Sequence, residues 1–298
     1  MEHPFSKLCP VCSSKDRISY MSIKDLFLSQ EEFGTFRCAS CDLVYVDRVP
    51  HNLSDYYKSE EYISHKESSS PFSKLYAFIQ GVTFRQKSSI VKSNTGGKRI
   101  LDFGAGKGDF VSYLNKLGFS STGYEPDPDA RAVALVKNNL KLIDSLDEIS
   151  SNSFDLITLW HVLEHVTDPN RTLQDLHRLL TNQGVLVVAV PNRESFDADY
   201  YKEYWAAYDV PRHLLHFNPD SLKVLANKNG FSITSIHPML FDSTYVSLLS
   251  EKLICKSKGT NISIFQQFRA LLIGTISNLL LLRNKNRCSS LIYVLNKQ

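Results

Sequence analysis

The run Ile100–Phe110, ILDFGAGKGDF, constrains the fold of this chain more than any other stretch. A short apolar segment ends in Asp102, passes through Gly104, Gly106 and Gly108, and opens into a helical pattern. Glycine has no Cβ, so the backbone can turn tightly there and lie flat against a ligand. The helix that follows aims its free N–H groups at the same point. The pattern predicts a nucleotide-like cofactor seated on a strand–loop–helix unit. Its Gly-x-Gly-x-Gly spacing differs from the Gly-x-Gly-x-x-Gly dinucleotide fingerprint. The next strand, Ser121–Glu125, ends in an acid that can accept hydrogen bonds from both hydroxyls of a ribose. Asp102 suits the ammonium group of a sulfonium amino acid better than it suits a pyrophosphate.

Strand and helix signals alternate beyond this point. Strands are expected at 99–103, 120–125, 141–144, 154–160 and 185–190, and helices at 107–117, 127–138, 169–181 and 219–229. Asp127-Pro128 is a helix start, and Gly118 follows a helix end. Such alternation implies a parallel sheet with helices on both faces. Phe231–Ile236 and Ser290–Leu295 read as the last two strands, with a mostly helical insertion at about 240–288.

Two more runs join the glycine loop and Glu125: Ser153–Pro169, SFDLITLWHVLEHVTDP, and Leu179–Asn192, LLTNQGVLVVAVPN. With these four motifs in order, about residues 85–238 resemble the class I S-adenosylmethionine-dependent methyltransferases. The branch is the one that includes ubiquinone-biosynthesis, sugar and small-molecule methyltransferases. The resemblance implies an α/β fold, a Rossmann-like doubly wound seven-stranded sheet whose last strand is antiparallel. It implies S-adenosylmethionine as cofactor, held by Asp102, Gly104, Ala105, Gly106, Glu125 and Pro126. Asp144 and Ser145 would lie beside the adenine, and Trp160 and His161 would border the methionine and the transferred methyl.

Methyl transfer is an in-line displacement with a good, neutral leaving group, so a protein chiefly supplies alignment. An oxygen, nitrogen or carbon acceptor can also need a base, and histidine suits that task near neutral pH. His161 and His165 are four apart, so they share a face if the segment is helical. The run Tyr204–Phe217 packs Tyr204, Trp205, Asp209, Arg212, His213 and His216 into one loop. The resemblance makes this loop substrate-facing, and the chemistry of imidazole makes His161, His165 and His213 the candidate catalytic bases. The bland readings are that His165 caps a helix, Arg212 pairs with Asp209, and His216 is a packed core histidine. Some quinone-type relatives use a divalent cation, but no convincing catalytic metal set is legible here.

Four of six cysteines lie early, as Cys9-x-x-Cys12 and Cys38-x-x-Cys41. Two such pairs on knuckles joined by a small sheet would supply four thiolates to a structural Zn2+. Residues 1–50 are therefore expected to be a zinc ribbon, 51–93 a hydrophilic connector and helical lead-in, and 94–298 a methyltransferase domain. A ribbon ahead of such a domain resembles sugar C-methyltransferases acting on nucleotide-linked deoxysugars. It also resembles bacterial methyltransferases associated with glycan assembly. The former carry a further C-terminal domain, where this chain has only helices and a strand, which sets C-methylation in doubt. A small-molecule acceptor, a sugar or glycan precursor, is the expected partner.

Net charge is only +3 and the first 50 residues are not markedly basic, so no nucleic-acid partner is expected, and RNA modification or binding through the ribbon is a rival reading only. Charged residues near the start and reduced thiols point to a cytoplasmic protein. The apolar segment Ala270–Leu282 is short for a membrane span. It reads either as a buried or homodimer-forming amphipathic helix or as one lying on a membrane surface. The second option would make the chain a lipid or quinol methyltransferase.

Overall fold

The computed structural model describes residues 8–57, 71–239, 242–280 and 283–298. The side chains of 71–79 and of residue 285 lie outside the description. So do residues 58–70 of the expected connector, the first seven residues of the expected ribbon, and residues 281–282 of the apolar segment.

A six-stranded mixed sheet forms the centre. It contains β4 (Arg99–Phe103), β5 (Ser120–Tyr124), β6 (Phe154–Trp160), β7 (Leu180–Pro191), β9 (Phe231–Pro238) and β10 (Ser290–Lys297). The order is β5-β4-β6-β7-β10-β9. Strands β4 to β7 pair in parallel, while β10 is antiparallel to both β7 and β9. The chain order reverses between β4 and β6, which opens a crevice beyond the carboxyl ends of the strands. The strand expected at 141–144 is reduced to one parallel bridge, Tyr124 to Ile143. Leu140 and Leu142 pack inward, while Lys141 and Asp144 face water, so only a short stretch suits an edge.

Alternate residues of the central strands feed two cores. Leu101, Ile157, Leu186, Val188, Leu291 and Tyr293 join one cluster. Ile100, Leu156, Val187, Ala189, Ile292 and Val294 join the other. This is the near-continuous apolar pattern of strands covered on both faces.

Helices α1 (Pro71–Asn94), α2 (Asp109–Lys116), α3 (Pro128–Asn138), α4 (Pro169–Leu179) and α6 (Pro219–Lys228) flank the sheet. Short α5 (Phe196–Tyr201) precedes the aromatic loop, and α7 (Asp242–Ser257) and α8 (Ile264–Leu279) connect β9 to β10. Local chemistry sets the helix starts. Asp127 accepts from the Asp129 N–H, Asp168 from the Arg171 N–H, and Asn218 forms a capping box with Ser221.

The cysteine-bearing segment folds as β1 (Arg17–Lys24), β2 (Glu32–Cys38) and β3 (Val44–Val46). Its sheet is completed by β8 (Leu215–His216), which comes from the aromatic loop and pairs with β3. One hydrophobic cluster contains Cys9, Phe33 and Leu43 together with Trp205, Leu215 and Phe217. The small sheet is thus welded to the loop that follows β7.

Candidate active site

Asp102, at the end of β4, is buried and accepts a 2.6 Å hydrogen bond from the Thr158 hydroxyl of β6. Burial pushes its carboxyl up to about 6, against the pull of Thr158 and the Lys87 charge. A cation arriving beside it would find a group ready to ionise.

The loop that follows turns through Gly104 at φ +78° and Gly106 at φ +54°, where side chains are strained. A Cβ on Gly104 would overlap Val162, whereas one on Gly106 would project into open space. The Gly106 N–H donates to Glu125 Oε2 at 2.7 Å, and the Asp127 N–H to Glu125 Oε1 at 3.0 Å. Glu125 therefore spans the glycine loop and the start of α3, with Pro126 following it at the same turn. Asp144 and Ser145 line an open groove with Pro128, Arg131 and Leu142 at the sheet edge. Arg131 pairs with Asp144 at 3.2 Å. Trp160 closes the opposite side, edge-on to Phe110 and with the Lys87 ammonium 4.6 Å above its face.

His161 does not continue into a helix. Its φ of +57° turns the chain sharply, and only a short 3-10 turn, Leu163–His165, follows. The expected shared helical face of His161 and His165 is therefore not formed. Instead His161 Nδ1 lies 3.2 Å from Glu164 Oε1, and its Nε2 lies 3.9 Å from Asp242 of α7. Burial alone would lower the imidazole. The Glu164 hydrogen bond and the Asp242 and Glu164 charges outweigh it, so its basicity is raised. Glu164 is fully buried. Burial pushes it up, but His161 above all, with His213 and His165, pulls it down to about 2.

His165 is 3.0 Å through Nδ1 from the Arg212 carbonyl, and the Tyr57 hydroxyl is 3.1 Å from the same nitrogen. Burial and the His213 charge lower His165 to about 4. His213 sits edge-on to it, with Nδ1 2.7 Å from the Ala207 carbonyl. Both carbonyls accept, so the neutral form of each ring carries its proton on Nδ1 and offers Nε2 as a lone pair. Glu164, His165 and His213 bring three donor atoms within 4.8 Å of one another, a set able to hold a divalent cation. The sequence concealed this set because His213 arrives from the aromatic loop.

The rest of that loop is largely engaged by protein. Arg212 is completely buried and bonds Asp209 at 2.6 Å, Asp25 at 2.9 Å and the Tyr56 carbonyl at 3.2 Å. Trp205 is buried and donates to Asp197 at 2.7 Å. His216 is a buried β8 residue edge-on to Tyr208, lowered by burial to about 3. Arg212, Trp205 and His216 thus anchor the loop, and Tyr204 stays half-buried beside them. Sequence reasoning passed over Tyr57, Lys87, Thr158 and Asp242, each a lone polar residue whose place depends on tertiary packing.

The four early cysteine sulfurs also lie within 4.8 Å of one another, with Cys9 and Cys41, and Cys12 and Cys38, 3.5 Å apart. Such a closed thiolate set suits a tetrahedral ion with metal–sulfur bonds of about 2.3 Å.

A family model described as methyltransferase domain matches residues 77–236. A ubiquinone biosynthesis O-methyltransferase of Glaesserella parasuis is 33% identical over 110 residues, 33% of this chain and 47% of that protein. One from Xanthomonas oryzae is 30% identical over 161 residues, 49% of this chain and 67% of that protein. The chain thus spans about half to two thirds of the curated relatives it matches. Among solved structures, a phosphoethanolamine N-methyltransferase of Haemonchus contortus aligns with TM-score 0.51 and 16% identity. That alignment covers 95% of this chain and 68% of the other, and shares the fold. Glycine loop, acid-ended second strand, switch-point crevice and family match agree, and the chain belongs to the methyltransferase domain family of class I S-adenosylmethionine-dependent enzymes.

Proposed function

We propose that this protein transfers a methyl group from S-adenosylmethionine to a small-molecule acceptor, a sugar or glycan precursor, with His161 as the base. The observation that carries the reading is the half-buried His161 paired with the buried Glu164, adjoining Val162, which packs on Gly104 of the glycine loop. The donor, when bound, supplies an electrophilic methyl on a sulfonium whose leaving group is a neutral thioether.

Asp102 offers a carboxylate to the donor's ammonium, and Glu125 can exchange its backbone partners for ribose hydroxyls. Gly106 leaves room for a flat ligand contact. His161 Nε2 has no partner among the described residues at hydrogen-bonding distance and accepts the acceptor's proton as the new bond to carbon forms. Glu164 fixes the Nδ1–H tautomer and stabilises the imidazolium. His165 and His213 line the acceptor side, and Arg212 holds that side in place through Asp209 and Asp25.

The cysteine set is proposed to hold a structural Zn2+. Through β3 and β8 the ion would stiffen the acceptor loop. The small cysteine-bearing sheet supports the sugar or glycan class by its resemblance to sugar methyltransferases.

The test is incubation of the purified protein with methyl-labelled S-adenosylmethionine and separated pools of nucleotide sugars, lipid extract and RNA. Label is expected among nucleotide sugars or sugar-bearing lipids. Label in RNA alone would overturn the acceptor class. Methyl transfer undiminished in His161→Asn would overturn the base.

A further inference from the structure

Helix α8 turns its most apolar arc outward. Ile264, Phe265, Phe268, Leu271, Leu272 and Leu279 are each at least 50% exposed. At roughly 100° per residue, they and Thr275 fill one arc of about a third of the helix. Ala270, Ile273, Gly274 and Ser277 form its buried side. Surfaces rarely leave so continuous an apolar stripe uncovered unless it binds something. No described helix is long and apolar enough to cross a membrane, so such a face suits contact along a surface.

Charge selects the partner. From Lys252 to Gln298 the chain carries eight Lys and Arg and not one Asp or Glu, although the whole chain nets only +3. Carboxylates that touch this region are held. Glu251 pairs with Arg269 at 2.5 Å, Asp199 pairs with Arg287 at 2.7 Å, and Asp197 takes the Ser277 hydroxyl. Lys258 and Arg283 are exposed beyond the two ends of the helix.

We propose that α8 docks this protein on an anionic bilayer surface, its apolar arc in the headgroup boundary and the flanking bases against lipid phosphates. A second copy fits the arc less well, because a two-fold contact would bring the same basic ends together. An anionic leaflet attracts them.

The docking face lies close to the chemistry. Gly274 allows α8 to approach α7 so nearly that an added Cβ would sit 2.6 Å from Thr244 Cα. Two residues earlier, Asp242 faces His161. The bilayer would therefore lie one helix layer from the base. Resting on the methyl-transfer reading, this makes the acceptor a small molecule carried on a lipid.

The test uses the full chain with vesicles of phosphatidylcholine alone or mixed with phosphatidylglycerol, read by co-sedimentation. Partition should favour the anionic vesicles by roughly tenfold at low salt and weaken as salt rises. The double variant Phe265→Ser/Phe268→Ser should lose that partition, and Arg283→Glu should reduce the anionic preference. Adenosylhomocysteine binding, measured by calorimetry in solution, should be unchanged in each. That readout separates failure of docking from failure of the methyltransferase reading. Equal, weak partition to both vesicle types would overturn the proposal. So would a wild-type dimer that the Phe265→Ser/Phe268→Ser variant dissociates, because the face would then be a contact between copies.

Discussion

Replacing Glu164 by Gln should invert the titration of His161. In the wild type, burial lowers the imidazole, but the Glu164 hydrogen bond and the charges of Asp242 and Glu164 raise it above its ordinary 6.5. Gln keeps the shape and removes the charge. Burial, the largest influence, then remains, opposed by Asp242 at 3.9 Å and by the weaker neutral hydrogen bond to the amide, so His161 should titrate below 6.5. The carboxylate side gives the magnitude. Glu164 falls from 4.5 to about 2 despite complete burial. At about 1.4 kcal/mol per pH unit, that is about 3 kcal/mol in favour of its charged form in the folded chain. The depressed acid contributes stability above 4.5 and loses it as pH falls through about 2. The raised histidine contributes below 6.5 and loses its share as pH climbs through its folded-state value. The variant should therefore be less stable by about 3 kcal/mol in the window between those limits. Imidazole NMR titration reads the first effect, and urea unfolding at several pH values reads the second. A variant His161 that still titrates above 6.5 would refute the reasoning, because Glu164 would not be the source of its basicity.

Three further outcomes follow from the geometry. Gly104→Ala puts a Cβ into Val162 at φ +78° and should cost at least about 1–2 kcal/mol while weakening adenosylhomocysteine binding in calorimetry. Metal analysis should find about one zinc per chain, and Cys38→Ser should release it and lower unfolding free energy by several kcal/mol. Arg212→Met strands the buried Asp25 and Asp209 carboxylates and should cost roughly 3–5 kcal/mol in urea unfolding.

Features written in local chemistry were legible in the sequence. The glycine loop, the Asp127-Pro128 helix start, and the buried strands all follow from residues near one another. The doubly wound sheet follows from their order, and its antiparallel last strand is what the resemblance to class I methyltransferases implied. What escaped depends on distance. Strand β8 is only two residues long and exists because β3 offers it an edge. Arg212 reads equally well as a substrate contact until Asp25, far upstream, is seen to take its guanidinium. The helical spacing of His161 and His165 misled because a left-handed residue at 161 breaks the period. Helix α8 shows a further limit: a run of leucines and phenylalanines looks the same whether its stripe faces a core or water, and only the fold tells which.

Every role assigned to these residues requires cofactor binding at the glycine loop. Calorimetric titration of adenosylhomocysteine into the wild type and Glu125→Ala tests it most directly. One site per chain is expected, weakened by roughly 10–100-fold in the variant, which loses charged hydrogen bonds to the ribose worth about 1.5–3 kcal/mol. No binding to the wild type, or equal binding to both proteins, would contradict it.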